Sequence, residues 1–315
     1  MPKSQEQPLT TVGVVGLGTI ARTHITVLRD LRPDVEVIGI DPQGSAARAA
    51  PLTDRVYADV DAAADTTPRV GLWVVATPTD LHLDAAVRLL LECPDSRVVV
   101  EKPLVASLDD LDRLQRQVQM STLRSRLFVS HHFAFSPEVV WAIGAARRVA
   151  SGSLVRATLI FHDPYAGKTP SDRRSYVDPW VDSGPNQLSV LLVTSDERVH
   201  VHDVALLSDG LRAHATGAIG PRGSFSAITS WLAPDSSKAT TLEFEDGTLL
   251  WLDHTAVTGV ALRNGQPIEW FETDGLVPRK VLHYRALYES LLSPNPDRAL
   301  RFDFAADVVR GLDRR

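Results

Sequence analysis

Thr11-Val12-Gly13-Val14-Val15-Gly16-Leu17-Gly18-Thr19-Ile20-Ala21 is an apolar run that breaks into glycines and leads into the amphipathic stretch 22–31. The run reads as a short buried strand, the glycines as a turn and 22–31 as a helix. Strand, glycine turn and helix together are the setting in which G-x-G-x-x-G/A holds the pyrophosphate of a dinucleotide. Gly16 permits the tight turn, Gly18 lets backbone approach the anion, and Ala21 keeps the helix close to the strand. Thr19 and Ile20 open the helix, whose first N–H groups point at the anion. A glycine turn without a ligand is the plainer alternative.

The following elements repeat the pattern. Residues 35–41 form a second strand that ends at Asp41, about 20 residues beyond the glycines, where an acid can bond both ribose hydroxyls and repel a 2′-phosphate. NAD is therefore the preferred cofactor, with NADP possible. Asp41-Pro42 also reads as a turn initiator. Strand 56–57, helix 59–64, strand 70–75 and helix 83–91 come next, and Ala76-Thr77-Pro78 closes the third of these at the cofactor's nicotinamide side. His82, opening the next helix, supports the cofactor site from behind. Val98-Val99-Val100-Glu101-Lys102-Pro103-Leu104 is a strand covered on both faces, and it must stop at Pro103, which cannot donate to a sheet ladder. Lys102 then lies at the carboxyl edge, where ligands bind in open parallel sheets and where a partly desolvated ammonium suits proton transfer. Its plainer reading is a lysine that snorkels from the strand end. Helix 108–120 and strand 127–132 complete a doubly wound parallel sheet over residues 1–133, the α/β Rossmann arrangement.

Residues 134–315 change in pattern. Helix 137–150 and strand 154–161 are followed by a long irregular stretch, 162–182, and then by Trp180-Val181-Asp182-Ser183-Gly184-Pro185-Asn186-Gln187, a polar loop turning into a helix. Strand-like runs at 213–219, 224–232, 239–244, 248–253 and 259–262, with primed hairpin turns at Asp246-Gly247 and Asn264-Gly265, imply an α+β domain with an open, largely antiparallel sheet. Helices 282–292 and 304–312 close the chain and are candidates to pack back on the first domain. The sheet's open face needs a cover, and a like sheet in a second copy supplies one, so a homodimer or homotetramer is expected.

Composition sets the outer limits. A chain of 315 residues with 44% hydrophobic content can bury two cores. Cys93 is the only cysteine, which excludes an intrachain disulfide. Residues 1–11 are polar, without an apolar signal-peptide core, and no run approaches the roughly 20 apolar residues that span a bilayer. A cytoplasmic protein outside the membrane is expected. The net charge is −6 and the 33 basic residues are scattered among acids, so nucleic acid is not an expected partner. His131-His132 and His200-Val201-His202 lack a placed third ligand, and no metal is expected. Arg173-Arg174 reads as an anchor for an anionic substrate or as a solvated loop.

With residues 16–21, 76–82, 101–104 and 182–186 in this order, the chain resembles the glucose-fructose oxidoreductase, inositol dehydrogenase and rhizopine-catabolism (Gfo/Idh/MocA) family over nearly its whole length. The resemblance implies that Glu101, Lys102 and the preceding edge residues meet the cofactor. It also implies that Lys102 contacts both nicotinamide ribose and substrate, across a bond to Pro103 that is often cis. The family's second motif is D-x-G-x-H-x-x-D. This chain keeps Asp182 and Gly184 but has Asn186 for the histidine and Ser189 for the last acid; Ala134 stands where an arginine is usual. A lost imidazole fits a non-catalytic sensor. It also fits the arabinose and galactose 1-dehydrogenase branch, which carries asparagine here and a histidine that His132 resembles. Asp41 departs from that branch, some of whose members have serine and arginine and accept NADP.

These features imply an oxidoreductase that moves hydride between a nicotinamide and a carbinol carbon of a polyhydroxylated small molecule. Aldose oxidation at C1 is the specific expectation. Lys102 and Asp182 would handle the proton, with Asn186 holding a hydroxyl and with His132 and Trp180 as further substrate contacts. A ketone or imine reductase and a dinucleotide-binding sensor remain as alternatives.

Overall fold

The computed structural model describes residues 9–64, 69–168, 177–195 and 197–313. Arg173 and Arg174 lie outside the described residues. The chain divides into two compact units, Met1–Ser130 with Tyr288–Asp303, and His131–Leu287 with Phe304–Arg315. The division thus falls at Ser130, and a late segment returns to the first unit.

In the first unit, β1 (Thr11–Val15), α1 (Thr19–Leu31), β2 (Glu36–Ile40), β3 (Arg55–Tyr57), α2 (Val60–Ala64), β4 (Leu72–Val75), α3 (His82–Glu92), β5 (Arg97–Glu101), α4 (Leu108–Gln117), α5 (Ser121–Arg124) and β6 (Leu127–Ser130) follow in order. The strands form one six-stranded sheet in the order β3-β2-β1-β4-β5-β6, every pair parallel. The order reverses between β1 and β4, the switch point at which such sheets open a crevice. Apolar runs form these strands because both faces are covered: Val98, Val99 and Val100 are wholly buried, each adding about 2 kcal/mol of hydrophobic stabilisation. The returning segment is tied in by an antiparallel bridge between Phe128 and Arg301 and by the Arg97 guanidinium, which donates to the Leu291 carbonyl at 2.5 Å.

The second unit holds α6 (Pro137–Val149), β7 (Leu154–His162), α7 (Pro179–Ser195), β8 (Val199–Leu207), β9 (Arg212–Ile219), β10 (Gly223–Ser230), β11 (Ser237–Phe244), β12 (Leu249–Asp253), β13 (Thr258–Arg263) and β14 (Gln266–Glu272). The chain ends in α8 (Arg279–Leu291) and α9 (Phe302–Leu312). Eight strands lie in the order β14-β13-β12-β11-β7-β10-β9-β8, antiparallel throughout except for β7 with β10. The open, largely antiparallel sheet is therefore present. It is longer than the sequence reading by its two edge strands, β8 and β14. The α6 and α7 helices pack on one face. On the other face the register sets Thr158, Thr241, Trp251, Val260 and Trp270 in one row across five strands. Trp251 is 39% and Trp270 71% exposed.

Asn264 and Gly265 both have positive φ, 51° and 73°, as a type I′ turn requires. At Asp246-Gly247 only the glycine does, at 78°, and Gly247 N–H returns to the Phe244 carbonyl at 2.9 Å. That hairpin is a type I turn closed by a left-handed glycine, which corrects the expectation of a primed turn there. Residues 180–187, read as a polar loop, lie inside α7 instead. Asp178 caps this helix through its carboxylate, which accepts from Trp180 N–H at 2.8 Å and Val181 N–H at 3.0 Å.

Candidate active site

At the carboxyl edge of the parallel sheet the glycine turn has the required form. Gly16 has φ 86°, and a Cβ on it would come within 2.8 Å of the Ala76 carbonyl oxygen and the Thr77 nitrogen. A larger residue there would push β1 away from the loop after β4. A Cβ on Gly18 would meet nothing within 4 Å, so the space above its backbone is open. Gly18 is also the N-cap of α1 and offers no side-chain bond to the helix, leaving the N–H groups of Thr19, Ile20 and Ala21 to an anion. Arg48 donates to the Thr19 hydroxyl at 2.5 Å. These features fit a dinucleotide pyrophosphate.

Asp41 follows β2 on this edge. Its Oδ2 accepts from Leu17 N–H at 2.8 Å and its Oδ1 from Gln43 N–H at 2.9 Å. The turn-forming role is thus real, and the carboxylate also braces the glycine loop. Each oxygen retains a lone pair, so ribose bonding is compatible with both contacts.

The loop after β4 presents Thr77 and Pro78. The Thr77 hydroxyl is buried without a hydrogen-bond partner among the described residues, as befits a group that meets a ligand. His82 sits behind these loops. One ring nitrogen lies 2.9 Å from the Thr77 carbonyl and the other 2.8 Å from the Pro103 carbonyl, with the ring buried. It clamps the loops after β4 and β5 together, and burial pushes its imidazole below the usual range.

Lys102 directly follows β5, half-buried, and its bond to Pro103 is cis. Glu101 also bonds inward. Its Oε2 accepts from Lys102 N–H at 3.2 Å, and its Oε1 lies 2.8 Å from Nε2 of His24, so the carboxylate supports the strand end from within. The other ring nitrogen of His24 is 2.6 Å from the Tyr288 hydroxyl. Neither His24 nor Tyr288 stood out in the sequence.

In the second unit Asn186 and Asp182 are carried by α7. Asn186 is 8% exposed, and its Oδ1 has no hydrogen-bond partner among the described residues. A buried amide oxygen of this kind calls for a donor such as a hydroxyl. Asp182 is half-buried, one turn earlier. Trp180 is wholly buried, and a Cβ on Gly184 would come within 2.9 Å of its ring and 3.0 Å of Leu312. It packs within the second unit, and its indole Nε1 is buried without a hydrogen-bond partner among the described residues. His132 stacks on Tyr284 with ring centroids 4.9 Å apart, and its Nδ1 is 3.1 Å from Nδ1 of His283. Burial pushes the His283 imidazole down to about 3. Among the described residues no group of three or more histidine, cysteine or acidic side chains is arranged to hold a metal, and no helix is long and apolar enough to cross a membrane.

A buried ion pair near Asp182 went unread in the sequence. Lys238, at an inward position of β11, pairs with Asp163, whose Oδ2 also accepts from the hydroxyl of Ser183 at 3.4 Å. Burial lowers the lysine's proton affinity, and the Asp163 charge offsets part of that. An inward lysine in an alternating strand was the available signal.

Residues 10–130 match the model of the Gfo/Idh/MocA oxidoreductase family, NAD-binding Rossmann fold. No curated protein matches the sequence. Among solved structures, GenD2 from gentamicin A biosynthesis, in complex with NAD, is 22% identical with a TM-score of 0.74, over 99% of this chain and 95% of that one. A myo-inositol dehydrogenase from Corynebacterium glutamicum is 15% identical with a TM-score of 0.75, over 97% and 94%. The UDP-N-acetylglucosamine 3-dehydrogenase GnnA from Acidithiobacillus ferrooxidans is 17% identical with a TM-score of 0.72, over 97% and 96%. At these identities the three share the fold. With the glycine turn, Asp41 and Lys102 on one sheet edge, the match over 10–130 makes the first unit similar to the NAD-binding Rossmann domain of the Gfo/Idh/MocA oxidoreductases.

Proposed function

We propose that the protein oxidises a sugar or related polyol, and most specifically an aldose at C1 to give a lactone. The observation that carries this reading is the gathering of the Gly16 turn, Asp41, the buried Thr77 hydroxyl and Lys102 at one edge of the parallel sheet. When bound, NAD supplies the hydride acceptor, C4 of its nicotinamide ring. Asp41 bonds the adenosine ribose, and the open backbone at Gly18 with the start of α1 holds the pyrophosphate. Lys102 and Asp182 handle the substrate's hydroxyl proton, and Asn186 holds a hydroxyl through its buried amide oxygen.

The asparagine favours C1 of an aldose. An amide does not titrate in the working range, so it can orient a hydroxyl but cannot take its proton. An anomeric hydroxyl is more acidic than a secondary alcohol and needs a weaker base. The same residue supports the second reading, a dinucleotide-binding sensor in which turnover has been lost. The exposed row through Trp251 and Trp270 supports pairing with a second copy of the chain through the open sheet.

A panel of free aldoses and inositols with NAD, followed at the absorbance of the reduced cofactor, tests the activity. The expected result is oxidation of an aldose, with Asn186→Ala losing about 1 to 3 kcal/mol of transition-state stabilisation. Tight binding of NAD and a sugar without oxidation anywhere between about pH 6 and 10 would establish the sensor instead.

A further inference from the structure

The hydrogen-bond chain behind Lys102 is fully buried and directional. Tyr288 and His24 are wholly buried and Glu101 is 6% exposed. Burial, with the Glu101 charge adding to it, pushes the Tyr288 phenol well above its usual range, so the phenol keeps its proton. That proton is donated to Nδ1 of His24, 2.6 Å away. In the neutral ring the N–H must then sit on Nε2, which donates to Glu101 Oε1 at 2.8 Å. Glu101 Oε2 in turn accepts from Lys102 N–H at 3.2 Å. His24 belongs to α1, the helix that starts at the glycine turn, and Glu101 is the last residue of β5.

We propose that Tyr288 and His24 are positioning residues: through Glu101 they set the place and electrostatic surroundings of Lys102 relative to the dinucleotide-binding turn. The inference rests on the reading of Lys102 as the proton-handling group. Without the phenol, the imidazole is free to carry its proton on Nδ1. Its other nitrogen then turns a lone pair toward the Glu101 carboxylate, which weakens the hold on Glu101 and changes the field at Lys102. The chain works by fixing one tautomer, as the partner of a metal-bound or catalytic histidine does. Tyr288 reaches His24 from a segment far along the chain, so the arrangement exists only once the first unit is complete.

Tyr288→Phe removes the hydroxyl and keeps the packing, which makes it the decisive variant. Two readouts need no substrate. Histidine ¹⁵N shifts report the tautomer of His24, assigned with His24→Gln. Reductive ¹³C-methylation makes each of the five lysines visible, with Lys102 assigned by Lys102→Arg. In the wild type His24 is expected as the single Nε2–H form. In Tyr288→Phe it becomes a mixture, and the titration midpoint of Lys102 moves by about half a pH unit or more, while that of Lys238 holds and NAD affinity stays within about threefold. With any sugar turned over, kcat falls about tenfold and KM stays within about twofold. Retention of a single Nε2–H tautomer in Tyr288→Phe, or an unmoved Lys102 midpoint, overturns the proposal. So does a lowered melting temperature with unchanged kcat, the signature of packing alone. Lys102→Met, run in parallel, separates the two ideas. Wild-type turnover in that variant refutes the Lys102 reading itself, whereas slow turnover beside an unaffected Tyr288→Phe refutes only the positioning role.

Discussion

Replacing Asp41 by alanine should do two separable things. In the free protein it removes the acceptor for Leu17 N–H at 2.8 Å and Gln43 N–H at 2.9 Å, loosening the glycine turn from the end of β2. A hydrogen bond to a charged group contributes about 1.5 to 3 kcal/mol, and Leu17 N–H is the less solvated of the two donors. In the complex it also removes the acceptor for the ribose hydroxyls, at a similar cost. The NAD dissociation constant should therefore rise by about 10- to 150-fold. NADP should behave differently. A carboxylate within about 5 Å of a 2′-phosphate opposes it by about 1 to 3 kcal/mol at the effective dielectric of a protein surface, and that penalty goes with the charge. The ratio of NADP to NAD affinity should thus rise by about tenfold or more. Calorimetric titration of both proteins with both cofactors reads the affinities, and a thermal melt without cofactor reads the loosened turn. If the wild type binds NADP as tightly as NAD, or if the variant keeps wild-type NAD affinity while melting earlier, Asp41 is a turn residue and the ribose assignment is wrong.

Lys102→Met should keep NAD binding within about tenfold and lower turnover by about a hundredfold or more; Lys102→Arg should not restore it, because guanidinium cannot accept a proton. Steady-state kinetics on an active sugar decide that, and unchanged turnover would make Lys102 structural. The buried His283 gives a pH prediction with a definite sign. Its folded-state value is lowered to about 3, so between there and about 6.5 the unfolded chain binds a proton that the folded one does not, and stability falls as pH falls through that window. At pH 5 the loss from this group is about 2 kcal/mol. Urea unfolding at pH 7.5 and 5 should show a smaller drop for His283→Gln than for the wild type, and equal drops would contradict the assignment. Trp251→Glu, on the exposed row of the second sheet, should shift a self-associated wild type to monomer in sedimentation velocity. An unchanged mass for a wild-type oligomer would place the contact elsewhere.

Much of the first unit was readable because its strands are covered on both faces and therefore appear as unbroken apolar runs, each followed by an amphipathic helix. The edge strands of the second sheet were harder. Both β8 and β14 carry mostly half-buried or exposed residues, and Pro267 in β14 argues against a strand unless it lies at an edge. Gly184, Pro185 and Asn186 hid the start of α7 because each disfavours a helix interior; the cap at Asp178 and tertiary packing override them. The candidate site divides in the same way. Gly16, Asp41, Thr77 and Lys102 each come just after the end of a strand, so a local motif reveals them. His24, Glu101 and Tyr288 are joined across up to 264 positions of sequence, and Lys238 and Asp163 across 75, distances at which local pattern carries no signal. For His82 and Glu101 the motif marks the sheet edge but not the bonds to Thr77, Pro103 and His24, because spacing along the chain does not say which way a side chain turns.

The return of Tyr288–Asp303 to the first unit makes His131–Leu287 an insertion within that unit's covalent order, with Phe304–Arg315 going back to the second. During synthesis the nucleotide-binding half emerges first, yet its last pieces, among them the Phe128–Arg301 bridge and Tyr288, arrive only after the whole inserted segment has left the ribosome. Closing so long a loop carries an entropic cost, and contacts of such separation form late. A fragment that stops at Ser130 is therefore an incomplete domain, whereas one that rejoins Tyr288–Asp303 through a short linker restores the missing contacts at a smaller loop cost.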